Sequence, residues 1–231
     1  ASPPPRYALV LASAAAIWLC CAAVLLLGYM LLDKLYPPQL QRFEAVSHEV
    51  VAADGSLLRL FPVEDGRVRR RAHLYAVDAS YVAMLTAYED KRFYQHMGID
   101  PYALARAMWQ AATSGRIISG GSTLTMQTAR LLEPRPRTLW AKAVEMFRAF
   151  QLEQHYSKAD ILEMYLTLAP YGGNIEGIEA ASYAYFGHSA RRLRADEAAL
   201  LVALPQSPER LRPDRHPKRA VAARNKILRR T

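Results

Sequence analysis

The chain has 231 residues, enough for one sizeable domain with its own core plus an appendage. Thirty Lys and Arg against 21 Asp and Glu give a formal charge of +9, which points to anionic lipid headgroups, a phosphorylated substrate or nucleic acid. No zinc-finger spacing or RNA-binding aromatic signature occurs, and the apolar segment at the N-terminus argues further against nucleic acid.

That segment runs from Tyr7 to Leu32 without a charge, YALVLASAAAIWLCCAAVLLLGYMLL, between Arg6 and Asp33-Lys34. It exceeds the roughly 20 residues that cross a bilayer, and it is too long for a signal-peptide core of about 7–15. The expectation is an uncleaved single-pass anchor over 7–32 after a short tail, 1–6. Flanking charges orient it weakly, and a lone N-terminal anchor usually leaves the following domain on the extracytoplasmic side. Cys20 and Cys21 both lie in the span, so the folded domain holds no cysteine.

Pro37-Pro38 stops the helix. HEVVAADGSLLRLF (48–61) then sets two β-prone runs around Asp54-Gly55, a strong hairpin signal, and a second Asp-Gly follows at 65–66. Residues 33–79 thus read as a juxtamembrane linker with a small β element. From Ser80 the period becomes helical, giving at least six helices and almost no strand. Ser80 is the expected cap of the first, Asp100 of the second with Pro101 in its first turn, and Ser157 of a later one with an acid near the capping-box position. The main domain is placed at 80–215 and a basic helical tail or linker at 216–231.

Three stretches carry candidate chemistry. Glu89 and Asp90 stand side by side in EDKRFYQHMGID (89–100), a charged helix end or a site for a base. GGSTLTMQ (120–127) offers backbone N–H groups and hydroxyls to an anion where a helix starts, although a bare GGST reads first as an ordinary cap. No Gly-Lys-Ser/Thr follows, so it is not a nucleotide P-loop. Lys142 and Glu145 share a helix face three residues apart, a spacing that surface ion pairs also use. Taken alone, His96 and Phe93 read as packed groups, as do Glu163 and Tyr165 in ILEMYL. The Met and aromatic positions of AMWQAA and EMFRAF read as core or membrane-contacting surface.

Together these stretches resemble the peptidoglycan glycosyltransferases (glycosyltransferase family 51). EDKRFYQHMGID is similar to their first motif, E-D-x-x-F-x-x-H-x-G, and GGSTLTMQTARLL to their second. KAVEMFRAFQLEQHYSKADILEMYL is similar to the third and fourth, and GIEAASYAYFG to the fifth, all in family order from about 50 to 215. APYGGNIEGIEAAS and LPQSPERLRPDRHP most resemble the 1C branch of the bifunctional class A penicillin-binding proteins.

The resemblance implies a mainly α, lysozyme-like domain that polymerises lipid II with inversion. Glu89 would be the general base toward the acceptor sugar 4-hydroxyl. Glu145 would be the second acid, assisting the pyrophosphate directly or through a divalent cation, Mg or Mn; no organic cofactor is implied. Lys142 and Arg130 would bind pyrophosphate, and Ser122, Thr123 and Gln127 would line the site. Asp90, Phe93, His96, Gly98, Gly120, Gly121, Glu163 and Tyr165 would support the motifs. The implied partners are lipid II, the growing glycan strand, membrane lipid and cell-wall synthesis proteins, at the cytoplasmic (inner) membrane with the domain in the periplasm.

A base needs a partly buried carboxylate, and a pyrophosphate leaving group needs clustered cations, so the residue types fit. Ala141, Thr167 and Met126 depart from the family, where arginine, asparagine and glutamine are common. They keep open a catalytically weak lipid II-binding scaffold, and the lysozyme-like fold keeps open a glycan-cleaving enzyme. No Ser-x-x-Lys occurs, so transpeptidase motifs are missing from this sequence. With Ala at its start and a helix running to Thr231, the chain is expected to be a piece of a bifunctional protein, a monofunctional enzyme being the alternative.

Overall fold

The computed structural model describes residues 6–54, 57–114 and 121–230. The chain divides into two units, Ala1–Pro38 and Gln39–Thr231. Helix α1 (Arg6–Leu35) occupies the first. Its window Ala15–Leu35 has a mean hydropathy of 2.4, with none of it buried within the protein. A helix that apolar needs an apolar surrounding, and it is long enough to cross a bilayer.

The second unit begins with a short helix, α2 (Gln41–Glu44), then strands β1 (His48–Val51) and β2 (Leu57–Phe61). These pair antiparallel, His48 opposite Phe61, as the hairpin signal predicts; Gly55 of the expected turn lies outside the described residues. Strand β3 (Val68–Arg69) follows, then a 3₁₀ turn at Leu74–Ala76 and the helices α3 (Ala79–Glu89), α4 (Pro101–Ser114), α5 (Leu124–Leu132), α6 (Leu139–His155) and α7 (Lys158–Leu168). Two short strands, β4 (Pro170–Gly172) and β5 (Ile175–Glu176), precede α8 (Ile178–Phe186), α9 (Ala195–Ala203), α10 (Pro208–Leu211) and α11 (Pro217–Leu228). The fold is mainly helical with two small sheets.

Most helix starts follow local chemistry. Asp100 accepts from the backbone of Tyr102 and Ala103, Thr138 from Ala141, and Ser157 and Asp160 form a reciprocal capping box. The start of α3 differs from expectation. Asp78, not Ser80, is the cap: its carboxylate accepts from the Ser80 backbone at 2.9 Å and from the Ser80 hydroxyl at 2.6 Å. Both residues favour caps, and the acid two positions earlier also reaches the Leu193 backbone, which fixes the choice.

Strands β4 and β5 are the second addition to the sequence reading. The order β3-β5-β4 joins β3 in parallel to β5, Arg69 opposite Glu176. Arg69 is fully buried. Its guanidinium donates to Glu176 at 2.5 and 2.9 Å and to the carbonyls of Arg42 and Ala45, both at 2.7 Å. The charge is thereby paired and its donors used, the condition under which arginine tolerates burial.

Helix α7 runs through the core, with Ile161, Leu162 and Met164 to Leu168 all buried. Tyr81, Leu85, Phe93, Leu124 and Leu152 pack in the same cluster. Thr167, one of the departures from the family pattern, is fully buried and accepts from the Ala72 backbone at 3.1 Å. Its hydroxyl satisfies an N–H that an apolar side chain would leave unpaired.

Candidate active site

Helix α5 is the organising element. From Thr123 to Arg130 every residue is buried except Gln127 and Arg130. Three positions apart, these two lie on one face and reach opposite ways. The Gln127 amide donates to Glu89 Oε2 at 3.1 Å, and the Arg130 guanidinium stands 3.9 Å from Glu145 Oε1. One rigid turn of helix therefore sets the spacing of the two acids.

Glu89 is the last residue of α3 and half-buried. Its Oε1 accepts from the Gln206 amide at 2.7 Å, so a neutral donor holds each carboxylate oxygen. Asp90, next in the chain, is buried and does different work. It accepts from the Leu124 backbone at 2.9 Å, at the start of α5, and pairs with His96 Nε2 at 3.1 Å. An anion at a helix N-terminus is favoured by the dipole there, so Asp90 locks the end of α3 onto α5 and keeps Glu89 in register with Gln127. His96 is a buried partner of Asp90, the structural role its sequence setting suggests. Phe93 is buried beneath it, with the Lys158 ammonium 4.4 Å above the ring.

The loop ahead of α5 is fixed by Thr123, which accepts from the Met126 backbone and donates to the Gly98 carbonyl at 2.5 Å. Gly98 has φ of +81°, and a Cβ there would sit 2.6 Å from the Ala149 carbonyl oxygen, so only glycine fits. Gly121 packs against Leu104 and Ala107 of α4, while Gly120 lies outside the described residues.

Helix α6 buries Ala141, Glu145, Ala149 and Leu152, one stripe at helical spacing. Glu145 thus occupies a position where the pattern calls for an apolar side chain. Its compensation comes from Lys142, whose ammonium lies 3.0 Å from Glu145 Oε2 and 2.6 Å from the Ser122 hydroxyl, and from Arg130. Arg130, Arg137, Thr138, Leu139, Ala141, Lys142 and Glu145 line a cleft of about 490 Å³. Two cations on one carboxylate, with Arg137 lining the same cleft, suit a multiply charged anion. They suit a metal poorly, since a cation there would meet a single protein carboxylate among positive neighbours. Among the described residues no cluster of three His, Cys, Asp or Glu could hold one.

Leu139, on the cleft wall, and Trp140 of α6 are exposed, as are Tyr102, Met108 and Trp109 of α4. The Met-Trp pair of AMWQAA is therefore surface, not core.

A family model described as Transglycosylase matches residues 55–231. The chain belongs to the transglycosylase family. Penicillin-binding protein 1C of Escherichia coli (strain K12) is 52% identical over 198 residues, 86% of this chain and 26% of that protein. Penicillin-binding protein 1A of Aquifex aeolicus (strain VF5) is 37% identical over 201 residues, 87% of this chain and 26% of its own length. The chain thus spans about a quarter of the length of these relatives. Among solved structures, penicillin-binding protein 1A from Haemophilus influenzae matches 80% of this chain and 18% of its own, at a TM-score of 0.42 and 19% identity.

Not every residue proposed from the motifs of this transglycosylase chain faces the cleft. Glu163 accepts from the Leu74 backbone at 2.7 Å, joining α7 to the 3₁₀ turn before α3. Tyr165 is buried in the core, where burial pushes its hydroxyl pKa well up and the negative charge of Glu89 adds to the shift. Both are structural. Conversely, Arg137 and Gln206 belong to the site and escaped the sequence reading. Arg137 precedes the Thr138 cap in PRPRT, where charge alone marks it, and Gln206 lies in LPQSP with no local signal of its target.

Proposed function

We propose that this transglycosylase chain is a peptidoglycan glycosyltransferase that polymerises lipid II into glycan strands. The observation that carries the reading is the pairing set up by α5: Gln127 on Glu89 and, one turn on, Arg130 on Glu145 beside Lys142 and Ser122. A carboxylate with proton-accepting capacity stands at one end and a cationic cradle at the other.

In this reading the acceptor 4-hydroxyl oxygen attacks the donor's anomeric carbon while Glu89 takes its proton. The bond from that carbon to the pyrophosphate oxygen breaks on the opposite face, so the centre inverts. Lys142 and Arg130, with the Ser122 hydroxyl, take up the charge developing on the lipid pyrophosphate, worth more in a sheltered cleft than in water. Glu145 holds the two cations in place between turnovers. The exposed apolar residues of α4 and the start of α6 suit a lipid tail or bilayer surface, and α1 suits a single span of the inner membrane with the domain in the periplasm. The identities with penicillin-binding proteins support the same reaction class. The departures from the family leave the acids untouched: Thr167 is spent on the core and Ala141 on the cleft wall.

The test is polymerisation of labelled lipid II by the purified protein. Strand synthesis that disappears in Glu89→Gln, with the fold intact by circular dichroism, supports the reading. Lipid II binding without turnover would replace it with a scaffold, and release of fragments from preformed peptidoglycan would replace it with a glycan-cleaving enzyme.

A further inference from the structure

Glu89 is held by two amides, and only Gln127 carried a site role in the resemblance; Gln206 lies in LPQSPERLRPDRHP, a stretch given none. Gln127 comes from α5. Gln206, 117 positions from Glu89, comes from the 3₁₀ turn Leu204–Gln206 that follows α9. Its contact is the shorter, 2.7 Å against 3.1 Å.

The turn is built to present that side chain. Leu204 is fully buried, Pro205 fixes its own φ, and the Ser207 N–H closes the turn on the Leu204 carbonyl at 3.1 Å. The turn packs against β4 on one side and opens into α10 on the other. The backbone of Gln206 is therefore anchored while its side chain stands exposed and points at Glu89.

Each carboxylate oxygen has two lone pairs. One amide on Oε1 and another on Oε2 occupy one pair each, and together they stop rotation about the terminal bond of a flexible side chain. A neutral amide does this without bringing a counter-charge against the carboxylate, which a lysine or arginine would. An exposed hydrogen bond contributes little to folding, so the value of this contact lies in orientation.

We propose that Gln206 is a positioning residue for Glu89: its amide fixes the carboxylate so that the remaining Oε1 lone pair meets the incoming sugar hydroxyl. The proposal rests on Glu89 being the base of the reaction above. Orientation of a reacting group acts on turnover and not on ground-state binding, and this separates it from a role in holding substrate.

The experiment is steady-state polymerisation of lipid II by the whole chain in detergent, with melting temperatures measured in parallel. Gln206→Glu keeps the size, replaces the donor with an acceptor and sets a like charge against Glu89. It should lower kcat by roughly 10- to 100-fold with KM within about twofold and the melting temperature unchanged. Gln206→Ala should lose about tenfold in kcat. Gln206→Asn, which keeps a neutral amide donor on a shorter stem, should regain part of the rate lost in Gln206→Ala. A wild-type kcat in Gln206→Glu overturns the proposal, and so does a loss that appears only in KM or a Gln206→Asn variant no faster than Gln206→Ala. Glu89→Gln, run alongside, separates the two failures. If it polymerises normally the function reading falls; if it is dead while Gln206→Glu is normal, only the role of Gln206 falls.

Discussion

Glu89 and Glu145 are the same side chain in opposite company. Glu89 ends a helix half-exposed and meets two neutral amides; Glu145 sits in the buried stripe of α6 and meets an ammonium and a guanidinium. An amide orients a carboxylate without setting a counter-charge against it, which is the company the proposed base needs. Cations around Glu145 make it a counter-ion, and in the proposed reaction the same cations receive the pyrophosphate. The lesson is that neighbours, not residue type, divide the labour between paired acids.

Substitutions can break that contrast at either end. Glu89→Gln preserves shape and removes the proposed base. Polymerisation should fall by roughly 10²–10⁴, the usual yield of general-base catalysis, while lipid II binding, measured by fluorescence titration, stays near the wild-type value. Lys142→Met should lose about 10²–10³ in kcat, the scale of one electrostatic donor, and should weaken lipid II binding in the same titration. If both variants lost binding equally, the division between the two ends would collapse.

The scaffold beneath the contrast is testable by stability. Gly98→Ala places a Cβ against the Ala149 carbonyl and demands a positive φ from a residue that resists it. It should cost about 2 kcal/mol in denaturant unfolding and should loosen the Thr123 anchor of α5. Asp78→Ala removes the cap of α3 and should cost ~1 kcal/mol by the same measurement. This smallest effect carries a pH signature. The Ser80 hydroxyl that hydrogen-bonds Asp78 holds its carboxyl below the ordinary value, so the folded state binds the proton less readily than the unfolded chain does. The stabilisation is therefore full above a pH of about 4 and lost as pH falls further. The gap between wild type and Asp78→Ala should close in acid.

Much of this was legible because the governing interactions are local. Asp100 and Ser157 cap helices within three residues of themselves, and α1 declares itself by an unbroken apolar run. The acids were legible for another reason, since the motifs around Glu89 and Glu145 are compact stretches of chain. What escaped depends on contacts that no window of sequence contains. Gln206 reaches across 117 positions, Thr167 is matched to Ala72 across 95, and β3 finds β5 only in three dimensions. The misplaced cap at Ser80 shows the limit even locally: two good capping residues two positions apart were separated by a third party, the Leu193 backbone.

The pairing of Arg69 with Glu176 bears on the order in which the molecule is assembled. These residues are 107 positions apart, and their contact closes the three-stranded sheet. As the chain emerges N-terminus first, the guanidinium of Arg69 must wait in water for its carboxylate until most of the helices have been made. Such distant pairings slow folding, so closure of this sheet is expected to be a late step that follows packing of α3, α5, α6 and α7. The helices of the candidate site then assemble on chain already synthesised, and β5 joins β3 behind them.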